Sequence, residues 1–203
     1  MIRRTFRVEP GMTVLWHAAA GGVGLIACQW LSALGVTVIG TVGSPEKAEL
    51  ARAHGCTHVI EYRRENFVAR VRELTDGKGV PVVYDSIGRD TFMGSLDCLR
   101  PRGLLAVFGN ASGKAEPFDP QILATKGSLY LTRPTLFAYT AARSELLDSA
   151  AVLFDAIATA KVRIEVRQRW ALADVQAAHR ALESRATVGS SILLPQLPAA
   201  KLG

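Results

Sequence analysis

The feature that most limits how this chain can fold is a run of small residues placed directly after an apolar segment: Ala18-Ala19-Ala20-Gly21-Gly22-Val23-Gly24. The segment before it, Thr13-Val14-Leu15-Trp16-His17-Ala18, has the β-branched and aromatic content of a buried parallel strand. The segment after it, Val23-Gly24-Leu25-Ile26-Ala27-Cys28-Gln29-Trp30-Leu31, opens a helix that stops near Gly35, where glycine can take the left-handed cap conformation. Strand, tight turn and helix therefore follow one another without a gap. Ala19, Gly21 and Gly24 fall on the three small-residue positions of a dinucleotide fingerprint in its Ala-x-Gly-x-x-Gly form. The first makes the turn, the second lets the backbone approach a pyrophosphate, and the third lets helix and strand pack closely. The helix N-terminus then offers free N–H groups and partial positive charge to the anion.

The alternation continues along the chain. Residues 36–41 read as a second strand, and Ser44-Pro45-Glu46 starts a second helix with Ser as N-cap and Pro in the first turn. Residues 58–60, 80–85 and 103–108 read as strands, and residues 65–74 and 91–99 as helices. This is the pattern of an α/β, Rossmann-type, doubly wound parallel sheet with helices on both faces. Right-handed crossovers bring every strand-to-helix turn to one edge, where ligands bind. Beyond Gly109 the character changes. Residues 110–126 are a loop with one short helical piece, residues 128–132 a further strand, and residues 144–160 and 174–184 two helices. The last apolar stretch, residues 190–195, is a strand with no evident partner in the βαβ array. An unpaired apolar strand is an aggregation liability, so a partner is expected.

The end of the second strand selects the dinucleotide. NAD-binding domains usually carry an acid there for the ribose 2′-hydroxyl. This chain has Gly40-Thr41-Val42-Gly43-Ser44 instead, with Lys47 one turn further on. A 2′-phosphate is attracted by Lys47 and can be hydrogen-bonded by Ser44, so NADP(H) is the expected cofactor. Two further strand ends, Tyr84-Asp85-Ser86-Ile87-Gly88 and Phe108-Gly109-Asn110-Ala111-Ser112-Gly113, bring small and polar residues to the same edge, where the nicotinamide half belongs.

Composition sets bounds. Hydrophobic residues make up 49% and charged residues 21%, an ordinary globular balance. No apolar run approaches the roughly 18–20 residues of a membrane span. The basic N-terminus lacks the apolar region of a signal peptide, so a cytoplasmic location is expected. Cys28, Cys56 and Cys98 are too scattered for a metal site and read as buried thiols. The net charge of +6 is spread over single and paired basic residues, which favours an anionic cofactor over specific nucleic-acid contact. His17 and Tyr130 are the nominal general acids, each better read as a buried structural residue, and no catalytic residue is assigned.

Taken together, His17-Ala18-Ala19-Ala20-Gly21-Gly22-Val23-Gly24, Gly40-Thr41-Val42-Gly43, Val83-Tyr84-Asp85-Ser86-Ile87-Gly88 and Phe108-Gly109-Asn110 resemble the zeta-crystallin-like quinone oxidoreductases of the medium-chain dehydrogenase/reductase superfamily. Leu131-Thr132-Arg133-Pro134 and Glu183-Ser184-Arg185-Ala186-Thr187-Val188-Gly189-Ser190-Ser191 also look like bacterial members, so the likeness runs over nearly the whole chain. The resemblance implies zinc-independent hydride transfer from NADPH to a quinone or related α,β-unsaturated carbonyl. By the same resemblance Gly21, Gly22 and Val23 would lie at the pyrophosphate, and Gly43, Ser44, Lys47 and Tyr62 around the 2′-phosphate. Ser86, Phe108, Gly109, Asn110 and Ser112 would border the cofactor, Arg133 and Pro134 the nicotinamide end, and Arg185 would reach back to a phosphate.

The family begins with a GroES-like catalytic domain, and this chain starts where that domain would be finishing. A truncated product, a misassigned start and a deliberately short chain all fit. Residues 1–132 are then the NADP(H)-binding domain, and residues 133–203 the C-terminal helices and return strand of the otherwise missing catalytic domain. A non-catalytic NADPH-binding or interaction module, with weak RNA binding as a further variant, is the competing reading. The resemblance also implies a homodimer through the strand near Ser128–Thr132, whose β-branched and aromatic content suits a sheet edge.

Overall fold

Three apolar residues in a row, Val14, Leu15 and Trp16, must all be hidden, and a strand can hide both of its faces only inside a covered sheet. The computed structural model, which describes residues 1–184 and 186–195, has that arrangement. The first elements are β1 (Thr13–Trp16), α1 (Gly22–Ala33), β2 (Thr37–Val42), α2 (Pro45–Ala53), β3 (His58–Glu61), α3 (Phe67–Leu74), β4 (Val80–Asp85), α4 (Phe92–Asp97) and β5 (Leu99–Val107). After a loop come α5 (Gln121–Thr125) and β6 (Tyr130–Thr132). The sheet runs in the order β3-β2-β1-β4-β5-β6, with every neighbouring pair parallel. The doubly wound fold expected from the sequence is therefore present.

Period-two alternation divides the core into two layers. Val14, Trp16, Val38, Val42, Val82, Tyr84 and Ala106 pack on one face with Ala27, Cys28 and Leu31 of α1 and with Ala48 and Ala51 of α2. Leu15, Ile39, Val83, Leu105 and Val107 pack on the other with Val71 of α3 and with Phe92 and Leu96 of α4. The helices use their N-caps as read: Ser44 accepts a hydrogen bond from the Lys47 N–H, and Asn66 accepts from Val68 and Ala69. All three cysteines are buried free thiols. Burial pushes Cys98 up to about 12. Cys28 is pushed up by its hydrogen bond with Cys56 and then by burial, so both stay protonated and unreactive.

The remaining elements are α6 (Leu136–Tyr139), α7 (Arg143–Ala158), β7 (Val166–Ala171), α8 (Val175–Glu183) and β8 (Ser190–Leu194). β8 is the strand that had no partner in the sequence, and it pairs in parallel with β7, a strand the sequence reading did not anticipate. The small sheet is tied to α1. The Gln29 side chain donates to the Arg163 carbonyl and accepts from the Arg163 N–H, and the Gly189 N–H reaches the Ala20 carbonyl at 3.3 Å.

One arginine holds the entry to β5. Arg72 of α3 donates to the carbonyl oxygens of Asp97, Leu99 and Gly77, at 2.5–3.1 Å. These carbonyls lie at the end of α4, the start of β5 and the turn before β4, so one guanidinium joins three connections. Arg72→Met, which keeps the stem and removes the donors, is expected to lower stability by about 1–3 kcal/mol, read from urea unfolding.

Candidate cofactor site

The strand order reverses direction between β1 and β4, and the crevice outside the C-terminal ends of these strands is where open α/β sheets bind ligands. The Gly turn stands at that point. The backbone turns sharply at Ala18, whose φ is +56°, and Gly21 donates back to the Ala18 carbonyl at 2.9 Å. A Cβ on Gly24 would lie 2.4 Å from the Ala18 carbonyl oxygen and 2.6 Å from that of Ala19, so only glycine lets α1 start this close to β1. Gly21 is the N-cap of α1, no side chain caps the helix, and its first turn holds no acidic residue. Gly22 is half-buried, with Gly189 packed over it, and Val23 is exposed. A bare helix N-terminus reached through a backbone-only turn suits the pyrophosphate of a dinucleotide.

The residues read for the 2′-phosphate also come together. Gly43 follows β2, and a Cβ there would meet the Tyr62 hydroxyl at 2.6 Å, so the glycine leaves room for the ring against the backbone. Ser44 caps α2, and Lys47 is half-buried one turn on. The sequence reading found no acid at the end of β2 and took Glu46 only as part of the helix start. The Ser44 hydroxyl is hydrogen-bonded to the Glu46 carboxylate and holds it below the ordinary range. An anion at Ser44 would compete with that carboxylate.

Across the crevice the turns after β4 and β5 are joined. Ser86 and Ile87 carbonyls accept from the N–H groups of Ala111 and Ser112 at 3.1 and 2.8 Å. A Cβ on Gly109 would sit 2.4 Å from the Ser86 carbonyl oxygen. The hydroxyl of Ser112, read as bordering the cofactor, donates to the Ile87 carbonyl and accepts from the Asp90 N–H. Both its proton and a lone pair are used in holding the two turns together. Phe108 stacks toward Trp16 with ring centroids 5.5 Å apart, and Asn110 is exposed. Arg133 donates to the Val107 carbonyl at 3.0 Å, which brings it and Pro134 to the end of β5. Arg185 lies outside the described residues. Tyr130, expected to be buried, is 61% exposed, because β6 is an edge strand of the sheet.

Under these loops lies a polar row of which the sequence reading singled out only His17, read there as a buried structural residue. His17 is buried, with Nδ1 2.9 Å from the Thr41 hydroxyl and Nε2 3.0 Å from the Ser95 hydroxyl. Ser95 in turn donates to Asp85. Burial holds the His17 imidazole below its ordinary range, and the Asp85 charge opposes this in smaller measure. The available signal was modest: His17, Thr41 and Asp85 are each a polar residue at the end of an apolar strand. Among the described residues, no group of three His, Cys, Asp or Glu side chains could hold a metal, and no helix is long and apolar enough to cross a membrane.

The chain is similar to several known proteins. Residues 22–150 match the zinc-binding dehydrogenase family. A quinone oxidoreductase of Pseudomonas aeruginosa is 55% identical over 195 residues, which are 96% of this chain and 60% of that protein. A 2-haloacrylate reductase of Burkholderia sp. is 49% identical over 97% of this chain and 59% of its own length. The crystal structure of Escherichia coli quinone oxidoreductase complexed with NADPH superposes with a TM-score of 0.93 at 52% identity, over 96% of this chain and 60% of that one. The chain thus spans about 60% of the length of the relatives it matches.

The contacts at Gly24 and Gly43 differ in kind, and so do the expected effects of filling them. Gly24→Ala drives a methyl into fixed backbone and is expected to destabilise by about 3 kcal/mol. Gly43→Ala meets only the tip of an exposed tyrosine and should leave the thermal midpoint nearly unchanged. Thermal unfolding of the two variants side by side makes the comparison.

Proposed function

The chain belongs to the zinc-binding dehydrogenase family, and from that premise we propose that it binds NADPH and forms the cofactor-binding part of a quinone reductase. The observation that carries the reading is the Gly21–Gly24 turn opening onto an α1 N-terminus with neither a side-chain cap nor an acidic residue. Similarity to an enzyme crystallised with NADPH supports the same cofactor. Backbone N–H groups of Gly22 and Val23 hold the pyrophosphate. Ser44, Lys47 and Tyr62 hold the 2′-phosphate, with Gly43 leaving room for the ring of Tyr62. Ser86, Phe108, Gly109 and Asn110 line the path toward the nicotinamide, which Arg133 and Pro134 border, while Ser112 keeps the two turns joined. Arg185 is read as a further phosphate contact. When bound, NADPH supplies a hydride from its nicotinamide C4 to a quinone or a related α,β-unsaturated carbonyl. The protein's part is orientation and exclusion of water, and no residue is assigned as acid or base.

Residues 1–132 are read as the NADP(H)-binding domain, and residues 133–203 as elements of a catalytic domain. The separate β7–β8 sheet supports that division. A second reading is an NADPH-binding module without turnover, since the Gly turn and its bare helix N-terminus serve binding and no residue is assigned as acid or base. One preparation separates the two. Tight NADPH binding with quinone-dependent NADPH oxidation well above the solution rate supports the reductase. Tight binding without oxidation supports the module, and NADH bound as tightly as NADPH overturns the 2′-phosphate assignment. Lys47→Ala is expected to weaken NADPH binding about tenfold and to leave NADH binding unchanged, by titration calorimetry.

The assembly we propose is a homodimer in which β6 pairs with its copy across a two-fold axis. Tyr130 and Leu131 stand exposed on this edge strand, at 61% and 36%. Light scattering is expected to report a dimer for the unmodified chain and a monomer for Leu131→Lys.

A further inference from the structure

The polar row beneath the loops has a direction, and the direction follows from proton counting. Trp16 is paired with Gly40 on one side and with Tyr84 on the other, so the next residue, His17, stands beside Thr41 and Asp85. Alternation points all three side chains to the face of Leu15, Ile39 and Val83, under α3 and α4. There His17, Thr41, Asp85 and Ser95 are each at most 2% exposed, and the Phe67 ring meets the imidazole edge-on.

The Asp85 carboxylate can only accept. It takes the N–H groups of Ile87 and Gly88 at 2.7 and 3.1 Å, and the hydroxyls of Thr91 and Ser95 at 2.7 and 3.0 Å. Ser95 has one proton, and it is given to Asp85. Toward His17 the Ser95 oxygen must therefore accept, so the proton of the imidazole is on Nε2. Nδ1 is then an acceptor, filled by the Thr41 hydroxyl. The chain of donors runs from Thr41 to His17 to Ser95 to Asp85. Burial, which disfavours the charged ring, keeps the imidazole in this neutral form.

Each end of the chain is joined to backbone that the cofactor reading uses, at the Asp85 end through its carboxylate and at the other through the main chain of the residues that carry it. At one end the His17 N–H bonds the Tyr84 carbonyl at 3.0 Å and the Ala19 N–H bonds the Thr41 carbonyl at 3.1 Å. Between them Ala18 is held in the left-handed region, which costs a non-glycine residue about 1 kcal/mol. At the other end Asp85 fixes Ile87 and Gly88, and the carbonyls of Ser86 and Ile87 hold Ala111 and Ser112.

We propose that His17, as the neutral Nε2–H tautomer, is a positioning residue of the dinucleotide site that couples the Gly turn after β1 to the turns after β4 and β5 through Ser95 and Asp85. The proposal rests on the NADPH reading above. His17 is enclosed and acts only through the Thr41 and Ser95 side chains it bonds, which fix the spacing of the turns beside them. Its removal should therefore weaken ligands that use the Gly turn, and spare those that use only Ser44, Lys47 and Tyr62.

The test uses the whole chain and two probes, NADPH and adenosine 2′-monophosphate, which has the 2′-phosphate but no pyrophosphate. Ser95→Ala and His17→Leu are expected to weaken NADPH about tenfold without changing the affinity for adenosine 2′-monophosphate. His17→Gln, whose amide N–H can still reach Ser95, should recover most of the loss. The tautomer is read on the unmutated, 15N-labelled chain from the imidazole nitrogen shifts and needs no variant to fold. A proton on Nδ1, or a charged ring at neutral pH, overturns the proposal. So does equal weakening of both probes, which is general loosening, or NADPH affinity untouched by Ser95→Ala. An unmutated chain that binds neither probe instead overturns the cofactor reading itself, and the proposal falls with it.

Discussion

α1 has to begin within van der Waals contact of the strand it follows, and nearly everything else about the site depends on that approach. A methyl at Gly24 would overlap the carbonyl oxygens of both Ala18 and Ala19. With only hydrogen there, the helix axis comes down onto the end of β1. Ala27, Cys28 and Leu31 then reach the layer formed by Val14, Trp16 and Val38. The turn is also pressed from the side. A Cβ on Gly40 would meet the Ala19 methyl at 2.6 Å and the Cys56 sulfur at 2.5 Å, so Ala19 rests directly on β2. The backbone of residues 18–24 is thus set by contacts on its inner side, and its outer side faces the crevice. A site made of backbone N–H groups needs that rigidity, since it has no side chains to adjust.

Much of this was legible because it follows from local rules. An apolar strand, a run of small residues and a helix in succession admit few structures. The Ser44-Pro45 cap and the strand alternation are equally local. What escaped notice depended on neighbours distant in sequence. β7 alternates, but its outward residues are Arg167 and Arg169 and it lacks a continuous apolar face, so it reads as loop until β8 is laid beside it. Tyr130 is a residue type suited to burial and is exposed because, among the described residues, β6 stands at the edge of the sheet. Ser112 looks like a free polar loop residue, yet its hydroxyl joins two turns that are 25 residues apart. Glu46 lies beside Ser44 in the sequence, but only the folded cap turns its carboxylate back onto that hydroxyl.

The C-terminal elements bear on the same turn from above. Gly189, with φ +63°, packs its carbonyl oxygen 3.2 Å from the position a Cβ on Gly22 would occupy, and its N–H reaches Ala20. Gln29 holds Arg163, and Glu165 stands 3.8 Å from His54. The first two contacts fall on the Gly turn and α1, the third on the end of α2. The small sheet is therefore fastened to the two helices that follow β1 and β2, and its position is coupled to the backbone proposed to carry the pyrophosphate.

The buried row from Thr41 to Asp85 answers a problem that parallel sheets meet at their C-terminal edge. Inside the sheet, neighbouring strands hold one another through regular backbone hydrogen bonds. At the edge the strands diverge into turns, and the regular ladder thins to single bonds such as those from the His17 N–H to Tyr84 and from the Ala19 N–H to Thr41. In this chain the pairing of β1 with β2 ends at Trp16 and Gly40, and its pairing with β4 at Trp16 and Tyr84. The next residues, His17, Thr41 and Asp85, add side-chain links to these single bonds, His17 meeting Thr41 directly and Asp85 through Ser95. Burying such groups is costly unless each donor and acceptor is matched. Here the carboxylate takes four donors, and both imidazole nitrogens are engaged. An apolar set of the same volume could fill the space and support the strands. It could not fix the Ile87 and Gly88 N–H groups, and the turn after β4 would lose its register with the turn after β5. The polar row is therefore better explained by the geometry it gives the loops than by any gain in global stability.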